Sequence, residues 1–142
     1  MCNVAPAPIP QAGVIPYRWH QQQLEILLIT SRRRAHWIIP KGKVDIRLGL
    51  AGSARQEAYE EAGIGGSLST AELGCYQYHK QALCWTVFVF ALSVDIVLDE
   101  WPEMRMRERR WFLARDAMQQ VREPRLSMLI AAFVLNSVRL GK

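Results

Sequence analysis

Cysteine is scarce in this chain of 142 residues: Cys2, Cys75 and Cys84 are the only three, and no two stand in a CxxC spacing. An odd, scattered set argues against a disulfide framework and against a zinc site, and fits reduced thiols. Long apolar runs are missing too. None reaches the roughly 18 residues of a membrane span. The start, MCNVAPAPIP, has neither the charged n-region nor the apolar h-region of a signal peptide. A soluble cytoplasmic protein with no membrane partner is therefore expected. Repeats and low-complexity tracts are absent, and nothing marks a second domain, so residues 1–142 read as one domain.

Acidic residues are outnumbered, 13 against 18 Lys and Arg, which leaves a net charge of +5 and a pI near 9.4. That balance favours anionic partners: phosphate compounds, nucleic acid or a membrane surface. Half of the chain is hydrophobic, enough for a core without staples.

The first ten residues hold three prolines and read as a loose arm. Ala12 to Trp19 reads as a strand interrupted by Pro16, which suggests an edge or a bulge. Leu24 to Thr30 reads as a short buried strand. SRRRAH is a basic loop, and WIIPKGKVD gives a short strand ended by Pro40 and Gly42. From Leu50 to Ala62 the pattern turns helical, with Ala54, Ala58 and Ala62 forming a small flat face for close packing. Gly63 is placed to end that helix. GIGG then reads as a turn. Two further strands follow, near Glu72 to His79 and Cys84 to Val97, the second rich in β-branched and aromatic residues. Trp101-Pro102 reads as a turn. Arg107 to Ala114 reads as a strand entering a short helix, AMQQVR, and LSMLIAAFVLNSV as a helix packed on the sheet. This order predicts an α/β fold with a mixed sheet between helices.

The stretch QEAYEEAGI crowds Glu57, Glu60 and Glu61 into about one turn. At 3.6 residues per turn they fall within an arc of about 100°. Like charges at that spacing repel, and nothing basic lies among them, Arg55 being the nearest upstream. A solvated acidic face is one reading. A site for a hard divalent cation, Mg²⁺ or Mn²⁺, is the other, since these ions take a few carboxylates and fill the rest of their shell from water and phosphate. The basic PKGK just upstream supports the second. A metal beside fixed cations is what phosphate-ester or pyrophosphate hydrolysis needs.

Residues Pro40 to Ile64, PKGKVDIRLGLAGSARQEAYEEAGI, resemble the Nudix box, G-x5-E-x7-R-E-U-x-E-E-x-G-U. Counted from Gly42, residues Glu57, Glu60, Glu61, Gly63 and Ile64 fall on their positions, and Ala58 takes an aliphatic one. Leu48 stands where the family has its first glutamate, and Gln56 where it has arginine. A capping box from Ser53 to Gln56 is a local substitute for the lost brace. The likeness runs from about Ala12 to Phe133, and the chain there is similar to the diphosphoinositol polyphosphate and diadenosine polyphosphate hydrolases of the family. It implies the Nudix α/β/α sandwich and hydrolysis of a pyrophosphate linkage in a phosphorylated small molecule. It also implies metal ligation by Glu57, Glu61, Glu60 and the Gly42 carbonyl, with Glu60 or Glu61 accepting the proton of the attacking water. Arg32, Arg33, Arg34, Lys41 and Lys43 would neutralise substrate phosphates, with Arg109 and Arg110 as weaker candidates. Two competing functions remain. One is a degenerate domain that binds a phosphorylated ligand without cleaving it, favoured by Leu48 and Gln56. The other, resting on charge alone, is nucleic-acid binding through SRRR and MRMRERR. His20, His36 and His79 share no ligand spacing and read as structural or surface residues. Trp37, Trp85 and Trp111 read as packing residues.

Overall fold

A strand covered on both faces needs apolar side chains at consecutive positions, and Ile26 to Ile29 supply them within β2 (Gln23–Thr30). Ile26 and Leu28 belong to one buried cluster, Leu27 and Ile29 to another on the opposite face. The computed structural model describes residues 7–139. At its centre β1 (Ile9–His20) runs parallel to β7 (Leu83–Val97) and antiparallel to β2. Around these lie β3 (Trp37–Ile38), β4 (Lys41–Lys43), β5 (Ile64–Leu68), β6 (Gly74–Lys80) and β8 (Arg109–Leu113). The sheet order is β3-β2-β1-β7-β5, with β4 on β1, β6 on β7 and β8 on β2.

Helix α1 (Gly49–Glu57) continues into a π-helical turn, Ala58–Ala62, and covers one face. Ala54, Ala58 and Ala62 are buried there against Val14, Leu27, Ile29, Phe90 and Leu92. Small side chains let the helix lie close to the sheet, so its other side has a fixed direction. Helices α2 (Ala114–Gln120) and α3 (Pro124–Arg139) cover the opposite face through Ala117, Leu126 and Ile130, on Ile15, Ile26, Val87 and Val89. The result is the expected α/β/α sandwich.

Three expectations need correction. Pro16 does not mark an edge, because β1 is central and Pro16 is fully buried. It lies between the residues paired with β4 (Gln11–Gly13) and those paired with β2 (Tyr17–His20). Val14 N–H reaches Pro40 O at 3.1 Å on that flank. Two residues on, the proline nitrogen faces the same flank, in the gap between partners, where no donor is required. GIGG is not only a turn, since Ile64 to Leu68 pair with β7. Finally, Ile9 and Pro10, expected in the loose arm, pair with Trp85 and Thr86. Most of that arm, and Cys2 with it, lies outside the described residues.

Gly63 ends the helical run as expected, at φ 66° and ψ 38°. A Cβ there would sit 2.7–2.8 Å from the Trp101 side chain, whose indole N–H donates to Glu61 O at 3.1 Å. Gly63→Ala is expected to lose about 2–3 kcal/mol: the left-handed conformation costs about 1–2 kcal/mol and the ring must also move. Denaturant unfolding with an unchanged slope checks this.

Candidate active site

Each side chain in the glutamate cluster finds a different partner. Glu61 is 6% exposed. Its Oε1 accepts the Lys41 backbone N–H at 3.1 Å, and its Oε2 accepts from Arg107 Nη2 at 3.2 Å. Glu60 is turned to Gln56, whose Nε2 donates to Glu60 Oε2 at 2.6 Å. Glu57 lies against Gly42, where a Cβ would overlap its carboxylate. The run passes from α-helix to a π turn after Glu57, and Gln56 meets Glu60 at the i,i+4 spacing. Among the described residues, no three His, Cys, Asp or Glu side chains form a metal cluster. Glu57, Glu60 and Glu61 nonetheless line the same cleft.

The repulsion read from the sequence is relieved from a distance. Arg107, 6% exposed, comes from the segment before β8. Its Nε donates to Glu103 Oε1 at 2.9 Å and its Nη1 to Thr30 O at 3.1 Å, in addition to the Glu61 bond. Charge crowding shows most clearly at Glu57. Burial, then Glu61, Glu60 and Glu103, push its carboxyl up to about 7. Burial raises Glu61 as well, against the pull of Arg107 and Lys41. Burial lowers Lys41, with Glu61 opposing.

These groups line a cleft of about 740 Å³ together with Arg32, Lys43, Lys80 and Arg122. Tyr76, Tyr78, Trp37 and His36 also line it. Carboxylates and cations sharing one cleft fit a ligand that carries phosphates to a metal.

Of the basic residues expected to meet phosphate, the fold brings Arg32, Lys41 and Lys43 to the cleft. Arg33 is exposed and does not line it. Arg34 turns away to Arg105 O at 3.2 Å and towards Glu108 at 3.7 Å. Arg109 is the plainest correction. Its guanidinium lies 3.8 Å from the Trp101 ring centroid and donates to the carbonyls of Ala62, Gly63 and Leu98. It holds the end of the helical run and is spent there. Arg110 sits over Trp37 at 5.0 Å, outside the cleft.

The capping box fails as well. Ser53 is buried inside α1, where its hydroxyl accepts from Asp45 N–H at 2.9 Å and so ties the loop to the helix. Glu103 and Arg107 were missed. MRMRERR reads as undifferentiated charge, although Glu103 just before it stands four residues from Arg107, a usable signal. His36 and Trp37, read as bland, line the cleft.

A NUDIX domain model matches residues 7–133. The chain belongs to the NUDIX family. It is 31% identical over 134 residues to Nudix hydrolase 12, mitochondrial, of Arabidopsis thaliana, with 78% of this chain and 65% of that protein covered. Diphosphoinositol polyphosphate phosphohydrolase 2 of Rattus norvegicus is 32% identical over 111 residues, covering 77% of this chain and 60% of that protein. The chain thus spans a little under two thirds of these relatives' lengths. A crystal structure of a C. elegans Ap4A hydrolase superposes with a TM-score of 0.72 at 23% identity, covering 90% of this chain and 97% of that one. The NUDIX domain of Shewanella oneidensis NrtR, crystallised with ADP ribose, has a TM-score of 0.65 at 13% identity, covering 90% and 89%. Both structures support the NUDIX fold. The two departures from the box, Leu48 and Gln56, line a single depression of about 510 Å³ beside Glu57 and Glu60. No helix among the described residues is long and apolar enough to cross a membrane.

Proposed function

We propose that this NUDIX domain hydrolyses a phosphoric anhydride in a highly phosphorylated small molecule, with Mg²⁺ or Mn²⁺ as cofactor. The observation that carries the reading is the cleft, which Glu57, Glu60 and Glu61 share with Arg32, Lys41, Lys43, Lys80 and Arg122. The donor set fits a hard cation. Glu57 and Glu61 offer oxygen only, and bare Gly42 leaves room for the Glu57 carboxylate beside the backbone. Two or three protein oxygens suffice, because Mg²⁺ keeps several waters and takes phosphate oxygens. Bound there, the ion would supply charge neutralisation and a more acidic water. Glu60 is the better-placed proton acceptor, as its bond is to a neutral amide while Glu61 is held by Arg107. The named activities of the relatives point to dinucleoside polyphosphates and diphosphoinositol polyphosphates as the first compounds to try.

The deciding experiment is a substrate panel with Mg²⁺, Mn²⁺ or EDTA, reading phosphorylated products. Metal-dependent turnover of at least one diphosphate compound is the expected result. Ligand-induced thermal stabilisation with no product would instead establish the second reading, a binding domain, which the neutral residues at Leu48 and Gln56 favour.

The raised Glu57 carboxyl gives a separate prediction. The folded chain keeps a proton that the unfolded chain releases at about 4.5, and loses it only near 7. The stability from this group is full below pH 4.5 and falls as pH rises through 7. Mg²⁺, which competes with that proton, should therefore raise the melting temperature more at pH 8 than at pH 5.5. Melting curves of the protein and of Glu57→Gln, in which the difference should vanish, test this.

A further inference from the structure

Position 56 of this chain carries a neutral amide, and its bond goes to Glu60 alone among the glutamates. Among the described residues, the guanidinium bonded to one of these three glutamates is that of Arg107, whose bond to Glu61 spans 46 residues of sequence. Three of its nitrogens are used, each in a different direction: Nη2 on Glu61, Nε on Glu103 and Nη1 on Thr30 O. Thr30 is the last residue of β2, which pairs with the central β1, so the guanidinium is tied to the sheet. Glu61 is buried in the π turn, and the Lys41 N–H holds its other carboxylate oxygen.

We propose that Arg107 is a positioning residue of this site. It fixes Glu61 and Glu103 in one orientation and supplies from the far end of the fold the guanidinium that position 56 lacks. A planar group with three separate donors sets the angle of both carboxylates, which a point charge could not do. The consequence falls on the catalytic step and on metal affinity. Substrate binding rests on Arg32, Lys41, Lys43, Lys80 and Arg122; Arg32 lies 3.7 Å from Glu103, and Glu103 stays in the Arg107 variants. The proposal builds on the hydrolase reading for its kinetic part only.

The test uses Arg107→Lys, Arg107→Met and Glu103→Gln in the full chain. Mn²⁺ affinity is read by electron paramagnetic resonance, and kcat and KM on whichever diphosphate compound the wild type cleaves. Ile130→Val, a core change remote from the cleft, serves as the control for lost stability. Arg107→Met should lower kcat by about 30-fold or more with KM within about twofold, and weaken Mn²⁺ severalfold. Arg107→Lys should recover only part of kcat. Glu103→Gln, which leaves the Glu61 bond in place, should fall between wild type and Arg107→Met. If Arg107→Met fails to fold, the lysine and Glu103 variants decide. Wild-type kcat and Mn²⁺ affinity in the Arg107 variants would overturn the proposal. So would a kcat loss no larger than that of the core control. If the wild type cleaves nothing, the hydrolase reading falls, and Mn²⁺ affinity still judges Arg107.

Discussion

Gly42→Ala is expected to lower turnover by about 100-fold or more while the melting temperature moves by only about 2 °C. The added Cβ would overlap the Cδ and both oxygens of Glu57. Glu57 sits at the end of a flexible side chain and is half-buried, so it can swing away at little cost to the fold. Its carboxylate would then no longer lie beside the Gly42 backbone, where the proposed cation needs it. A displacement of about 1 Å in such a site is enough to cost two orders of magnitude. Steady-state kinetics, Mn²⁺ titration and a melting curve on the same sample separate the two effects. A variant with normal Mn²⁺ affinity and normal turnover would show that Glu57 has no part in the site.

Glu61→Ala should damage both activity and stability. Arg107 and Glu61 are each 6% exposed, and the alanine leaves a buried guanidinium short of one partner. Breaking a buried pair by removing one member costs about 3–5 kcal/mol. Arg107 keeps Glu103 at 2.9 Å and Thr30 O at 3.1 Å, which places the loss near the lower end, about 3 kcal/mol. The Lys41 N–H also loses its acceptor. Glu61→Gln keeps an oxygen for one donor and should lose less stability, yet its turnover should remain at least about 100-fold down. Denaturant unfolding and kinetics on both variants check this. Turnover unchanged in Glu61→Gln would remove that residue from the mechanism, whatever the alanine variant does to stability.

Much of the architecture was legible because it follows from local spacing. Consecutive apolar residues in Leu24 to Thr30 required a strand covered on both faces, and alanines at 54, 58 and 62 required a helix lying close to it. Gly63 stood where a left-handed residue had to end that helix. The strand at Ile64 to Leu68 was hidden because Gly65 and Gly66 read as a turn, while its pairing with β7 tolerates a break in register between those two glycines. Pro16 misled for a similar reason. A proline is excluded from a central strand only where its nitrogen faces a partner, and which flank lacks one is a property of the assembled sheet.

For the site, the sequence by itself determined the fixed spacing from Gly42 to Glu57, Glu60 and Glu61, the basic segments beside it and the two neutral substitutions at Leu48 and Gln56. Only the tertiary structure decided what each glutamate does. Glu60 bonds to Gln56 and Glu61 is buried, Arg107 arrives from 46 residues away, and Arg109 is drawn off to carbonyl groups and the Trp101 ring. The reason is physical. Helical period and motif spacing are set by the chain's own geometry, whereas the partner of a buried charge is set by which strands the sheet places side by side.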